Sequence, residues 1–444
     1  MIKNIFIYIF FFLFLFSVSG IVISKSVDLE ELKDLELSDH LELPTLIKIA
    51  FVHNSKIKAA YREWQATIEK LPQMTSLPDP MIMYGYFISR VETRVGPQLQ
   101  RFGVSQSFPY PGTLNAAGEV QLKQIKIHQK KYEQAVRDVI VDIKLSYHEL
   151  LYIDRAIEIV NHNQEILGHI IKLTKTYYAK DEATLSDLLK SESQQAQLSY
   201  DLILLYELRE VEQANIRALL NIQPDTQLGK PVPIPYSPLQ TPLEKLDKIA
   251  LLKSQEIQVA DLISQKAEKS IQLAKKKNNP MIKLELMTID TGKSPMPDVM
   301  DNGKNPWLVS LGISVPIWSK KNKSQINEAR LNYQKTLDNR ESMKAGILAN
   351  IRKVYFRMEN ARRLVELYEN TMIPQAEKAI EITETWNQDS TPKNISGILE
   401  TQSVWLNFNL AHARAIADYQ QALVKLEKLT DGSLSEGKTE NGKN

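Results

Sequence analysis

The stretch SQSFPYPGTLNAAGE, residues 105–119, joins two different hydrophobic patterns. Before it, large apolar side chains alternate with small ones, which is typical of a strand with one apolar face. After it, no proline occurs between Thr113 and Ala179, so this segment is predicted to be one helix that approaches ~100 Å in length. The corner Pro109–Gly112 interrupts both patterns. The sequence therefore predicts a strand that turns at once into a very long helix.

The composition excludes several classes of protein. The chain has 444 residues, 43% of them hydrophobic, and a formal net charge of +2, so neither a nucleic acid nor a strongly anionic partner is indicated. It contains no cysteine. This excludes disulfides, thiolate metal sites, cysteine nucleophiles and attachment of a lipid through an N-terminal cysteine.

The N-terminus has the pattern of an export signal. Lys3 precedes the apolar run Ile5–Phe16, which is too short to span a bilayer comfortably, and the small residues Ser17–Ser19 follow. We predict a signal peptide over residues 1–19 that is cleaved after Ser19. An uncleaved N-terminal anchor is the alternative, because apolar residues continue to Ile23.

The rest of the chain repeats itself. Lys48-Ile49-Ala50 recurs as Lys248-Ile249-Ala250, and Pro80-Met81-Ile82 recurs as Pro280-Met281-Ile282. We predict two structural repeats, residues 20–222 and 243–430, each with a helix, two strands, a long helix and a return helix. A proline-rich linker, residues 223–242, joins them, and residues 431–444 form a disordered tail.

Four segments alternate like strands, at residues 80–89, 98–109, 281–290 and 307–316. About 9 to 11 residues suffice for a tilted strand to cross a hydrocarbon layer. The predicted lipid-facing residues are Ile82, Tyr84, Tyr86, Phe102, Val104, Phe108, Leu284, Leu286, Val309, Leu311 and Val315. Lys283 and Glu285 fall on the opposite face and are candidates for a barrel lumen. A soluble antiparallel sheet with one wet face gives the same alternation.

Four strands do not close a barrel, and open strand edges are not tolerated in hydrocarbon. If these strands enter a membrane, the chain must therefore oligomerise. The two long helices carry apolar residues at alternate steps of three and four, which is typical of a coiled-coil seam. Each is predicted to turn back into a shorter helix, at residues 178–184 and 386–396. Pro374 is predicted to break the second long helix.

No catalytic constellation is apparent. His148-Glu149 begins like a zinc-protease helix, but Tyr152 stands where the second histidine ligand belongs. His162 and His169 lie two turns apart without a third ligand between them. We predict that the chain is not an enzyme and that it has no cofactor and no metal.

The corners FGVSQSFPYPG and LGISVPIW, each leading into a long helix, resemble the TolC-like outer membrane efflux protein family. The similarity spans residues 40–430 and includes LPTLIKIAFVHNSKIKAA, its echo LEKLDKIALLKSQEIQVA, and MIPQAEKAI at 372–380. The resemblance implies a mainly α fold with a small β part. Long antiparallel helical hairpins form an α-barrel, and each subunit of a homotrimer gives four transmembrane strands to one shared β-barrel.

The resemblance also implies a function and partners. The chain would be the passive exit duct of a tripartite efflux or type I secretion system, located in the outer membrane with a periplasmic extension. Its partners would be a periplasmic adaptor, an inner-membrane pump and outer-membrane lipid, with no nucleic acid. A soluble periplasmic coiled-coil adaptor or scaffold is the alternative.

By the same resemblance, the tips of the hairpins would dock the adaptor and form the gate. The residues concerned are Thr184, Leu185, Ser186, Asp187, Leu188, Ile395, Gly397, Ile398, Leu399 and Glu400. Glu400 stands where relatives often carry an acid that lines the constriction. Some relatives carry a second acid at the position that Gly397 occupies here, so a ring of charge rests on Glu400 alone.

Overall fold

The computed structural model describes Leu37, residues 40–296, 298–389 and 394–432, and Leu434. The predicted signal peptide, the alternative anchor and most of the predicted tail lie outside these residues. Asp431 lies within them, and its carboxylate accepts hydrogen bonds from Arg137 (3.1 Å) and Gln255 (2.8 Å). Asp431 therefore belongs to the folded body.

The described chain is mostly helical, as predicted. Its helices are α1 (Leu43–His53), α2 (Ser55–Ile68), α3 (Lys70–Thr75), α4 (Thr113–Tyr178), α5 (Leu185–Leu220), α6 (Leu243–Lys253), α7 (Gln255–Lys277), α8 (Ser319–Leu367), α9 (Ile373–Asp389) and α10 (Ile395–Thr430). Its strands are β1 (His40–Leu41), β2 (Met81–Val91), β3 (Gln98–Phe108), β4 (Lys230–Pro231), β5 (Met281–Thr291) and β6 (Trp307–Ser314).

The corner between β3 and α4 forms as its residue types demand. Gly112 has φ +83°, a left-handed conformation that costs glycine little because it has no Cβ. The Thr113 N–H donates to the Tyr110 carbonyl at 2.9 Å, which closes the turn, and helix α4 then runs for 66 residues. A tight turn of four residues, Pro109–Gly112, is thus all that separates the strand from the long helix.

Four strands form one antiparallel sheet in the order β2-β3-β5-β6. The central pair joins residues far apart in sequence, with Phe108 opposite Ile282 and Gln98 opposite Thr291. The helices α3, α4, α7 and α8 all adjoin the same end of this sheet, and the loops 92–97 and 292–306 lie at the other end. The sheet therefore stands at one end of the helical body.

The helices pack around three apolar cores. The predicted seam residues of α4 and α8, among them Ile143, Leu150, Leu167, Ile351 and Met358, are buried in them. Helix α4 packs against α5, α7 and α10, and α8 packs against α7 and α10. The hairpins α4–α5 and α9–α10 are thereby joined side by side, an arrangement consistent with the wall of a helical barrel.

The proline-rich segment 223–242 is fastened to both hairpins. Strand β4 pairs with β1 in parallel, and the Tyr147 hydroxyl lies within donating distance of the carbonyls of Val232 (2.7 Å) and Leu41 (2.9 Å). On α10, the Tyr419 hydroxyl accepts the Leu239 N–H at 2.6 Å. The segment therefore makes tertiary contacts with both hairpins.

Pro374 does not break the second long helix, contrary to the prediction. A π-helical turn over Tyr368–Met372 precedes it, and the helix resumes at Ile373. Proline lacks the N–H that an α-helix needs at this position. In the wider π-helical turn the Ile373 N–H donates to the Tyr368 carbonyl, so the helix accommodates the residue without an N–H and continues.

Candidate functional site

The four-stranded sheet places all the apolar alternation on one face. The register sets Tyr84 opposite Phe102, Val104 opposite Leu286, and Leu284 opposite Leu311. The eleven residues predicted to face lipid share this face, and each is 38% or more exposed: Ile82, Tyr84, Tyr86, Phe102, Val104, Phe108, Leu284, Leu286, Val309, Leu311 and Val315. Val315 follows the last residue of β6. A soluble protein rarely leaves an apolar surface of this extent in water.

The opposite face of the sheet carries mainly small and charged residues, with Met83, Met287 and Leu308 among them. Lys283 and Glu285, predicted for the lumen, lie there opposite serine and glycine, and Lys283 Nζ is 3.8 Å from Glu285 Oε2. The register also brings Arg101 onto this face beside Gly85, whose missing Cβ makes room for the arginine side chain. Alternation along β3 carries Arg101 to the same side as Lys283. One face thus suits hydrocarbon and the other suits water.

Within the part of the chain that the structure describes, both edges of this sheet are unpaired. Strands β2 and β6 each have a neighbour on one side, and two further strands separate them. At roughly 4.8 Å between neighbouring strands, β2 and β6 lie ~14 Å apart, so the sheet does not close on itself. An unpaired edge in hydrocarbon costs several kcal/mol for each unsatisfied backbone group.

The hairpin tips lie at the other end of the long helices. Thr184 caps α5 through a reciprocal pair of bonds with Asp187: the Asp187 N–H donates to Thr184 Oγ1 at 3.1 Å, and the Thr184 N–H donates to the Asp187 carboxylate at 3.1 Å. Thr184, Leu185 and Ser186 are exposed, whereas Asp187 and Leu188 are half-buried.

The second tip presents some of its predicted residues and buries others. Gly397 and Ile398 are half-buried, and Glu400 is exposed. Ile395 and Leu399 are only 2% and 4% exposed, because they pack on α4 and α5 in the third core. In this conformation the two side chains are therefore inaccessible for docking, and their place at the gate stays a prediction. They join the hairpins to each other.

Polar contacts reinforce that junction. Lys190 donates to Ser396 Oγ at 2.8 Å, Gln194 bonds to Ser403, and the buried Gln402 donates to Asn163 Oδ1 at 2.7 Å. The hairpin tips are thus held together by a hydrogen-bonded seam around apolar anchors.

A further ion-pair cluster lies midway along α4 and α10. Arg414 donates to both oxygens of Glu149, at 2.7 and 3.0 Å, and to Asp418 at 2.8 Å, and its guanidinium carbon lies 4.7 Å from the centre of the Tyr152 ring. Gln421 donates to Glu149 at 2.6 Å. The residues His148 and Glu149, which begin like a metalloprotease motif, therefore have separate roles. Glu149 accepts hydrogen bonds from side chains of α10.

His148 itself lines a cavity of about 280 Å³ between α4, β4 and α10. Burial, assisted by the charge of Lys144, lowers its pKa to about 4. His162 and His169 lie on exposed positions of α4. Among the residues that the structure describes, no three histidine, aspartate or glutamate side chains converge as metal ligands.

Sequence analysis missed one exposed apolar stripe. On α5, Tyr200, Ile203, Leu204 and Val211 are 43–62% exposed on the side opposite to its buried residues. Their spacing of three, four and seven residues was the available signal. The apolar residues of the buried face of the same helix alternate with them in the sequence and obscure this spacing. No helix in the described ranges combines the length and the hydropathy that a membrane crossing needs.

Comparison with known proteins agrees with this architecture. Residues 247–432 match the family model described as outer membrane efflux protein. No curated protein sequence matches the chain. The fold is similar to that of the outer membrane protein VceC from Vibrio cholerae, with a TM-score of 0.71 and 16% identity over 88% of this chain and 96% of that one.

Two further solved channels have the same fold. The CmeC outer membrane channel of Campylobacter jejuni gives a TM-score of 0.72 and 15% identity over 88% of this chain and 86% of that one. The MtrE outer membrane channel of Neisseria gonorrhoeae gives 0.68 and 16% over 88% and 89%. The resemblance to the TolC-like outer membrane efflux proteins, predicted from the sequence, is confirmed.

Proposed function

We propose that three copies of this chain form a passive exit duct in the outer membrane, through which an inner-membrane pump and a periplasmic adaptor expel substrates. Support comes from the outer membrane efflux protein domain in residues 247–432 and from the fold. The same proposal includes the two structural repeats, the cleaved signal at residues 1–19 and the absence of a lipid anchor on cysteine.

The observation that carries the proposal is the sheet. Its strands of 8 to 11 residues have one apolar, exposed face, one polar face and two open edges. Water disfavours the apolar face, and hydrocarbon disfavours the edges. Both conflicts end when β6 of one copy pairs with β2 of the next inside a bilayer.

The number of strands favours three copies. Two copies of a four-stranded sheet give eight strands, and side chains fill the interior of so small a barrel. Three copies give twelve strands, a number within the known range for outer-membrane barrels and wide enough to leave a lumen. Lys283, Glu285 and Arg101 would line that lumen. The exposed stripe on α5 would lie between neighbouring copies along the helical body.

At the far end, the hairpin tips would meet the adaptor. The exposed residues Thr184, Leu185, Ser186 and Glu400 would make that contact, assisted by the half-buried Asp187, Leu188, Gly397 and Ile398. Ile395 and Leu399 would hold the hairpins together instead. Opening of the tip would then require the third core to loosen. The duct performs no reaction, since the pump supplies the energy.

Disulfide cross-linking tests the sheet closure. The chain has no cysteine, so Ser310→Cys on β6 can be combined in turn with Met83→Cys and Phe87→Cys on β2. The register places Ser310 and Met83 on the polar face, and alternation along β2 carries Phe87 to the same side. A disulfide within one chain is excluded, because β2 and β6 are too far apart for its geometry.

We expect oxidation of the membrane-inserted protein to give covalent dimers and trimers for the pair that comes into register. Each single-cysteine variant serves as the control and stays monomeric on a denaturing gel. A protein that remains a dispersed monomer in water without detergent, and shows no cross-links, would refute the duct and favour the soluble adaptor or scaffold.

A further inference from the structure

The junction between sheet and helices carries a concentrated positive charge. Helix α7 ends in Lys275, Lys276 and Lys277, and the first two turns of α8 carry Lys320, Lys321 and Lys323. All six lie beside the helix-bearing end of the sheet, and five of them are exposed. The sixth, Lys276, has its ammonium 5.3 Å from the centre of the Tyr110 ring.

No acidic residue offsets these lysines within their own segments. The sequence has no aspartate or glutamate at 270–284 or at 302–327. Glu119, on the neighbouring α4, is paired with Lys269 at 3.3 Å. Asp79 precedes β2, at the opposite edge of the sheet. The chain as a whole is nearly neutral at +2, so this charge is a local feature.

Apolar side chains adjoin the same lysines. Ile317 and Trp318, at the corner between β6 and α8, are each 68% exposed, and Tyr110 is 39% exposed at the corresponding corner after β3. Exposed tryptophan and tyrosine beside lysine is the composition of a membrane–water interface, where the ring sits among headgroups and the ammonium stays in water.

A groove of about 630 Å³ lies between the end of α7, the end of β6 and the start of α8. Lys277 and Lys321 line it together with Val315 and Trp318. Two carboxamides hold its walls. Asn278 donates to the Asn322 carbonyl at 2.9 Å, and Asn322 donates to the Pro316 carbonyl at 2.9 Å. The groove thus presents two ammonium groups and an apolar wall on a fixed frame.

We propose that this basic collar, Lys275–Lys277 with Lys320, Lys321 and Lys323, binds the headgroups of anionic phospholipids at the inner surface of the outer membrane. The inference rests on the proposed membrane location of the sheet. The helix-bearing end of the strands would then lie at the level of the phosphates. Charge complementarity selects an anionic headgroup, and Val315 and Trp318 would contact the glycerol and upper acyl region.

The test uses the full-length protein in detergent and native mass spectrometry. The probes are phosphatidylglycerol, which is anionic, and phosphatidylcholine, which has no net charge. The variant is Lys277→Gln/Lys320→Gln/Lys321→Gln/Lys323→Gln. The matched control, Lys172→Gln/Lys180→Gln/Lys353→Gln/Lys425→Gln, removes the same charge from exposed positions on the helical body.

We expect phosphatidylglycerol to bind the wild type and the control at least about tenfold more tightly than phosphatidylcholine, since each lysine near an anionic surface contributes several-fold. The collar variant loses this preference. Inorganic phosphate at matched ionic strength does not displace the lipid. Displacement by phosphate, or an equal loss in both variants, would overturn the collar as a lipid site.

The fraction of protein that inserts into phosphatidylcholine vesicles distinguishes a failure of the collar from a failure of the proposed duct. Insertion of the wild type with no preference for phosphatidylglycerol refutes the collar and leaves the duct standing. Failure to insert into vesicles of either lipid refutes the duct, and the collar with it.

Discussion

Single side chains in this molecule act chiefly by joining segments that are distant in sequence. Tyr147 joins α4 to both β1 and the segment after β4, and Arg414 joins α10 to α4. His148, which follows Tyr147 on α4, is 6% exposed, and burial lowers its pKa to about 4. Its neutral form is therefore the one that the fold accommodates.

This pKa predicts how stability depends on pH. Because the folded-state pKa of His148 lies below its ordinary value of 6.5, the unfolded chain binds a proton that the folded chain does not, between pH 6.5 and about 4. The contribution of neutral His148 to the free energy of unfolding is fully present above pH 6.5 and is lost as the pH falls toward 4. A shift of this size corresponds to about 3 kcal/mol.

The variant His148→Gln has no such titration. We expect its free energy of unfolding to gain on that of the wild type by about 3 kcal/mol as the pH is lowered from 7.5 to 4. Urea unfolding at a series of pH values measures this. His169→Gln, at an exposed position on the same helix, is the control variant. A pH-independent difference for His148→Gln would contradict the assignment.

At the scale of helices and strands, Arg414 is expected to stabilise the docking of α10 on α4. Arg414→Ala removes charge-assisted bonds to the half-buried Glu149 and should cost about 1–2 kcal/mol. Arg155→Ala is the matched control, because Arg155 is exposed on α4 and pairs with Glu158, one turn away on the same helix. Its loss should cost no more than about 0.5 kcal/mol.

Thermal unfolding compares the two arginine variants, and amide hydrogen exchange locates the effect. Faster exchange confined to α10 and the facing part of α4 is the expected outcome for Arg414→Ala. Equal destabilisation by both variants would show that the ion pair between α10 and α4 contributes no more to stability than an exposed pair within one helix.

Adjacent residues on β6 test which face meets lipid. Leu311→Lys places a charge on the apolar face and should cost ~2–4 kcal/mol near the bilayer midplane, which lowers the fraction of protein inserted into vesicles. Ser310→Lys places the same charge on the polar face, beside Glu285, and should insert like the wild type. Equal insertion of both variants would contradict the orientation of the sheet.

The sequence predicts those elements that strong local signals delimit. The corner before Thr113 and the alternation of β5 locate a helix start and a strand within a residue or two, because proline, glycine and period-two patterning act locally. The two-residue pair β1–β4 has no such signal, because a bond from Tyr147 and the burial of Leu41 create it.

The site could be predicted in part for the same reason. The apolar face of the sheet follows from alternation, whereas the burial of Ile395 and Leu399 depends on where α4 and α5 lie. A proline within a helix can end the helix or can be accommodated by one wider turn, as happens before Pro374. Packing of α9 on α10 favours a continuous helix, and proline alone does not reveal that packing.

At the scale of the whole molecule, the exposed apolar stripe on α5 tests the proposed trimer. The exposed stripe on α5 predicts that Ile203→Lys raises the dissociation constant of the trimer about tenfold or more, since an unpaired charge would be buried between copies. Analytical ultracentrifugation in detergent measures this. Gln129→Lys, at an exposed position on α4, adds the same charge away from α5 and should leave the assembly intact. An intact Ile203→Lys trimer would show that the stripe lies outside the interface.

The strand order has a consequence for biosynthesis. Gln100 donates to Asp290 across the centre of the sheet, a contact between residues 190 positions apart. Since β6 ends at Ser314, a ribosome must polymerise most of the polypeptide before the four strands can meet. Contacts of such long range make folding slow, while the local contacts of the α4–α5 hairpin form early. The nascent protein therefore passes through a stage in which the α4–α5 hairpin is formed while the strand pairs β2–β3 and β5–β6 are still apart, with their apolar faces not yet joined.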